Sequence, residues 1–128
     1  MKKKIDAVKT FHKAFKIGYR TTPKADLGVA KNKLRFDLMK EENEEYYEAA
    51  QSNDLVEVAD ALGDMLYILC GTIIEHGMQH KIEFVFDEIQ RSNMSKLGSD
   101  GSPIYRADGK VMKGPNYFKP NIKAILES

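Results

Sequence analysis

Apolar side chains recur at helical spacing through most of this chain. Ile5, Val8, Phe11 and Phe15 define a stripe with lysines between them, and predict a first helix over residues 2–17 with Phe11 and Phe15 in the core. Gly18 is the expected stop. The segment GYRTTPKADLG breaks any period and reads as a loop. A second helix is expected over residues 28–51. Ser52-Asn53-Asp54 then supplies a turn and an N-cap. A third helix is expected over 54–76, with Gly77 at its C-terminal end, and a fourth over 79–94, with Ile82, Val85, Phe86 and Ile89 on its stripe.

After Lys96 the texture changes to Gly, Pro, Asp and Asn. PIYRADGKVM places two short apolar runs around Asp108-Gly109, a hairpin signal, and a short helix is expected after Pro120. The pattern has no internal repeat and no linker. It predicts an all-α fold over residues 1–128: one domain, an antiparallel four-helix bundle core with a structured C-terminal tail.

The stretch EENEEYYEA, residues 41–49, interrupts this simple picture. Five acids stand in the middle of a helix. With Leu34 at zero and about 100° per residue, Leu38 lies at about 40° and Ala49 at about 60°. Glu41 lies at about −20° and Glu45 at about 20°, on the inward stripe, whereas Glu42 lies at about 80°, at its edge. Glu44 and Glu48 are expected to be solvated. In the third helix, EVADALGDMLYILCGTII carries charge only at Glu57, Asp60 and Asp64. Their i, i+3 and i+4 relations put them on one line of a helix otherwise so apolar that burial all round is expected.

Charge sharpens the question. The net charge of +1 conceals a segregation: residues 1–40 carry twelve Lys or Arg and three acids, and residues 41–80 carry ten acids and no Lys or Arg. Several carboxylates brought together without cations repel and protonate. Either basic groups from other segments neutralise them or a divalent cation does. Carboxylate oxygens are the hard ligands that Mg²⁺ and Mn²⁺ prefer. Neither helix has the Glu-x-x-His pairs of di-iron bundles. His76 and His80 are four apart, but Gly77 stands between them and no HExxH pattern is present.

Other features narrow the class. No apolar run approaches the ~20 residues of a membrane span. The N-terminus lacks the uninterrupted apolar stretch of a secretory signal. Cys70, the single cysteine, sits in an apolar run and reads as a buried small hydrophobe. A cytoplasmic protein is the expectation. Lysines surround the whole first helix rather than marking one face, which argues against a nucleic-acid surface.

EENEE followed by EVAD resembles the E-E-x-x-E … E-x-x-D signature of the all-α nucleoside triphosphate pyrophosphohydrolases, which include MazG, the dimeric dUTPases and phosphoribosyl-ATP pyrophosphohydrolase. The resemblance implies hydrolysis of a nucleoside triphosphate to the monophosphate and pyrophosphate with Mg²⁺ or Mn²⁺. It implies Glu42, Glu45, Glu57 and Asp60 as metal ligands and Glu41 as general base on the attacking water. Asp64, on the same line, would be a further ligand or a contact to the nucleotide sugar. FHKAF and the tail SNMSKLGSDGSPIYRADGKVMKGPNYFKP look like the MazG-like, dUTP-hydrolysing branch, which would make phosphoribosyl-ATP a poor candidate substrate. For the triphosphate and the nucleoside, the tail offers Lys96, Lys113, Asn93 and Tyr117, with Arg91 nearby. Homodimers or homotetramers are the family expectation. A non-catalytic metal- or nucleotide-binding module is the competing reading.

Overall fold

A computed structural model describes residues 1–128 and contains five helices. The chain divides into two compact units, Met1–His80 and Lys81–Ser128.

The first unit is three helices: α1 (Lys2–Ala14), α2 (Val29–Gln51) and α3 (Leu55–Glu75). Both α1 and α2 pack on α3, which is therefore the central helix of this unit. Helix α3 starts where Asp54 accepts a hydrogen bond from the Glu57 N–H (3.1 Å), as the Ser-Asn-Asp turn predicts. It ends at Gly77, whose φ of 70° suits a residue without Cβ. A Cβ there would also collide with the Thr22 carbonyl. The loop 18–28 is clipped to this end of α3. The Arg20 N–H donates to Ile74 O (3.0 Å), the Lys24 N–H donates to His76 O (2.9 Å), and the Arg20 Nε donates to Glu75 O (3.1 Å).

Two expectations about packing are corrected here. Helix α1 ends at Ala14 rather than 17, and Lys16, not Gly18, takes the left-handed conformation (φ 57°). Its buried stripe is Ile5, Val8 and His12. Phe11 and Phe15 therefore lie on the flank rather than in the core, and Phe15 is 66% exposed. They stack on each other at 4.4 Å, and Phe11 meets Tyr67 edge-on. Helix α3 is likewise not buried all round. Its buried residues include Ala61, Cys70, Gly71 and Ile74, whereas Leu55 is 81% and Val56 76% exposed. Leu62, Leu66 and Leu69 are exposed too. Two neighbours cannot enclose a helix with apolar residues on every side. Cys70 is buried and free, as expected.

The second unit comprises α4 (Ile82–Met94), the tail and α5 (Ile122–Glu127). The tail is fastened to α4 by polar side chains. The Ser92 hydroxyl donates to Phe118 O (2.8 Å), and the Ser95 hydroxyl accepts the Phe118 N–H (3.1 Å). The Glu88 carboxylate accepts the Asn121 N–H (2.7 Å). The hairpin signal is borne out as a single antiparallel bridge between Tyr105 and Val111, with Gly109 at φ 89° in the turn. No helix is long and apolar enough to cross a membrane.

Candidate functional site

The inner face of α2 is set by Arg35, not by Leu34. Arg35 is 8% exposed and Leu34 51%. Measured from Arg35, Glu42 lies at about −20° and Ala49 at about −40°, so seven-residue spacing carries the buried line. Glu45 and Glu41 fall farther out, at about −80° and −120°. The structure follows this phase: Glu42 is half-buried, whereas Glu41 and Glu45 are exposed. The expectation that Glu41 and Glu45 point inward with Glu42 at the edge is thus reversed. It started from the wrong residue because a buried arginine was not anticipated.

Glu42 is the most perturbed acid in the protein. Its Oε2 is shielded from solvent with no hydrogen-bond partner. Burial and the neighbouring carboxylates of Glu45, Asp64 and Glu41 together push its carboxyl up to about 7. These four acids form one electrostatic cluster across the α2–α3 seam. Glu45 also belongs to a second group. A cleft of about 470 Å³ at the turn end of the two helices is lined by Glu45, Glu48, Asp54, Glu57 and Asp60, with the small Ala49 and Ala61 beneath. No Lys or Arg lines it. Glu48 is exposed, as expected, and also lines this cleft.

The donor chemistry fits a hard divalent cation: all oxygen, concentrated negative charge, and a buried carboxylate oxygen without a partner. No group of three or more His, Cys, Asp or Glu side chains stands as a ready-made metal cage. Without a cation, the same burial and repulsion favour the protonated form of Glu42. His76 is used elsewhere, its Nδ1 lying 2.8 Å from Lys24 O.

This proton has a consequence for stability. The Glu42 carboxyl is raised in the folded protein above the usual carboxylate value of 4.5. Between that value and about 7 the folded chain holds a proton that the unfolded chain has released. The Glu42 contribution is therefore fully present below the unfolded pKa and is lost as pH rises through the folded one. Urea titrations of metal-free protein from about pH 5 to pH 8 should show stability falling with pH. Glu42→Gln should flatten the slope and be the more stable protein at the alkaline end. An unchanged slope in the variant would count against the cluster.

The second unit carries the remaining sequence candidates. Lys113 and Tyr117 are brought together, the ammonium 4.8 Å from the ring centroid. The Lys96 carbonyl accepts the Gly114 N–H (2.8 Å), and Gly114 has carbonyls packed where a Cβ would stand. Asn93 is exposed on the last turn of α4. Arg91 is committed locally, paired with Glu88 (2.9 Å) and stacked over Phe118 (4.3 Å).

Sequence reasoning missed a further charged group. Glu75 is 3% exposed and lies 3.3 Å from Lys31 Nζ and 3.9 Å from Arg35 Nε. The available signal was a lone acid ending the apolar run CGTIIE, with arginine and lysine near the start of the facing helix.

A family model described as phosphoribosyl-ATP pyrophosphohydrolase matches residues 8–93, more than half of the chain. An uncharacterized protein of Acanthamoeba polyphaga mimivirus is 51% identical over 39 residues, or 30% of this chain. The chain spans 16% of that protein's length. Among solved structures, a protein from Exiguobacterium sp. 255-15, provisionally described as an NTP pyrophosphohydrolase, matches with a TM-score of 0.54 and 24% identity. That match covers 97% of this chain and 94% of the other, and it is a likeness of fold.

Proposed function

Given that the chain belongs to the phosphoribosyl-ATP pyrophosphohydrolase family, one of the all-α nucleoside triphosphate pyrophosphohydrolases, we propose that it hydrolyses a nucleoside triphosphate to the monophosphate and pyrophosphate in a reaction dependent on Mg²⁺ or Mn²⁺. The observation that carries this reading is the carboxylate cluster of α2 and α3. Its partnerless buried oxygen on Glu42 and its lysine-free cleft suit a cation-bound phosphate chain.

Glu42, Glu45, Glu57 and Asp60 would hold the cation, with Asp64 beside them as a further ligand or sugar contact. When bound, the cation offsets charge on the phosphates and makes water a better nucleophile. Glu41 stands next to Glu42 but turned toward solvent. In this reading its carboxylate takes the proton from the water as the water oxygen attacks the α-phosphorus. The bond from that phosphorus to the α–β bridging oxygen breaks, and pyrophosphate leaves. Within the second unit, Lys96, Lys113, Asn93 and Tyr117 are the tail's candidate basic, polar and aromatic contacts to a nucleotide.

The tail sequence NMSKL…DGKVMKGPNY favours the MazG-like branch, and with it dUTP or another pyrimidine nucleotide. The matched family model favours a second reading, phosphoribosyl-ATP. A panel of ribo- and deoxyribonucleoside triphosphates plus phosphoribosyl-ATP, with products identified, separates the two. Failure to cleave any of them with either metal would refute both.

The same reading includes a homo-oligomer. Leu55, Leu62, Leu66 and Leu69 are exposed and, with Ala59, continue a four-three spacing along α3. A second copy of the chain would cover this seam. Sedimentation should give a dimer or tetramer, and Leu66→Glu should shift it toward monomer. A wild-type monomer at tens of micromolar would contradict this.

A further inference from the structure

Arg35 is a full positive charge buried in the seam between α2 and α3. Its contacts are directional. Nε donates to Thr72 Oγ1 (3.0 Å), Nη2 donates to Ile68 O (2.9 Å), and Nε lies 3.9 Å from Glu75 Oε2. All three partners are on α3, spread over two turns. Gly71 makes the approach feasible: a Cβ there would stand 2.7 Å from Arg35 Nη2 and 2.8 Å from His12 Nε2. The guanidinium thus lies against bare α3 backbone.

Apart from the neighbouring Lys31–Glu75 ion pair (3.3 Å), the rest of this seam is poor in directional contacts. Its buried members include Ala49 on α2 and Ala61 on α3, small apolar residues that pack at more than one offset. Hydrogen bonds to a hydroxyl and a carbonyl at fixed positions do not tolerate a slip. Arg35 stands two turns before Glu42 on the same face of α2. Ile68 and Thr72 stand one and two turns beyond Asp64 on α3. The tie and the acid cluster therefore share one antiparallel seam, roughly 10 Å apart along the axis. A slip of one turn, about 5.4 Å, would set Glu42 and Glu45 against different residues of α3.

We infer that Arg35 is the register pin of the α2–α3 pair, a positioning residue that fixes which turn of α3 the acids Glu42 and Glu45 face. Its bearing on turnover rests on the proposed hydrolase reading; its bearing on helix register does not. The removal of Arg35 alters catalysis through placement: misplacement of reacting groups by about an ångström is worth on the order of a hundredfold in rate.

The test uses Arg35→Met, which keeps much of the stem and loses the donors, and Thr72→Val, which removes one acceptor at constant shape. Each is compared with wild type in two assays. Spin labels at the exposed positions Asn43 and Gly63, diluted with unlabelled chains, report the α2–α3 offset by electron paramagnetic resonance. Steady-state kinetics on unlabelled protein report kcat and KM. The expected result is a changed label separation in Arg35→Met, with kcat down about a hundredfold and KM changed far less. Thr72→Val should show a smaller change in the same direction. Arg35→Lys, which retains the charge and one donor group, should recover part of kcat.

A wild-type label separation in folded Arg35→Met overturns the proposal whatever the rate does. If Arg35→Met does not fold, Thr72→Val decides by the same separation. A changed separation with wild-type kcat overturns the role in turnover. If wild-type protein cleaves no nucleotide, the hydrolase reading fails while the label separation still decides the pin.

Discussion

Glu41→Gln should lower kcat by about 10²- to 10⁴-fold while leaving Mn²⁺ affinity essentially unchanged. Glutamine keeps the size of the side chain and its hydrogen-bonding capacity, but it cannot accept a proton. On α2 the two adjacent acids divide by direction. Glu42 lies at the phase of Arg35 and Ala49 and enters the seam, whereas Glu41 is about 100° away and exposed. In the proposed reading, Glu42 at the seam would help hold a cation and Glu41 at its lip would meet a water on the substrate side. Rapid-quench kinetics and a Mn²⁺ titration on the same preparation check the two halves together. A variant that loses cation binding along with turnover would move Glu41 into the ligand set.

Removing the divalent cation should have an effect of similar size. With a chelator present, turnover should fall by at least roughly 10³-fold, since metal stabilisation of phosphoryl charge is worth several kcal/mol. Mg²⁺ or Mn²⁺ should restore it. The physical reason lies in the cleft: Glu45, Glu48, Asp54, Glu57 and Asp60 face it without a Lys or Arg among its walls, so a triphosphate would meet only negative charge there. Asp60→Asn should require a higher metal concentration for the same rate. Persistent turnover in chelator would contradict this account of the cleft.

Much of the helical order was legible because long helices with strong periodicity and explicit caps leave little choice. Asp54 caps α3 and Gly77 closes it as their residue types suggest. Asp108-Gly109 marks the turn beside the Tyr105–Val111 bridge. What the periodicity could not supply was which of two adjacent stripes is buried. On α1 the choice fell on Phe11 and Phe15, but the core uses Ile5, Val8 and His12. On α2 it fell on Leu34, but the seam is organised by Arg35. In both helices a buried polar side chain sets the phase: His12, whose Nδ1 lies 3.1 Å from Gly18 O, on α1, and Arg35, which meets Glu75 forty residues away only after folding, on α2.

For the candidate site, residue types and spacing pointed to α2 and α3, because acids without local counter-charge are conspicuous. The division of labour among those acids was not legible from phase alone. The charge of Asp64 beside Glu42 and the cleft position of Glu48 both depend on how α2 and α3 are offset. That offset is what the buried arginine is proposed to set.

The most direct test of the central claim is hydrolysis in water enriched in heavy oxygen, with Mg²⁺ and the best substrate of the panel, and products resolved by mass spectrometry. Attack at the α-phosphorus predicts one heavy oxygen in the nucleoside monophosphate and none in the pyrophosphate. Label in pyrophosphate, or release of orthophosphate with a nucleoside diphosphate, would contradict it.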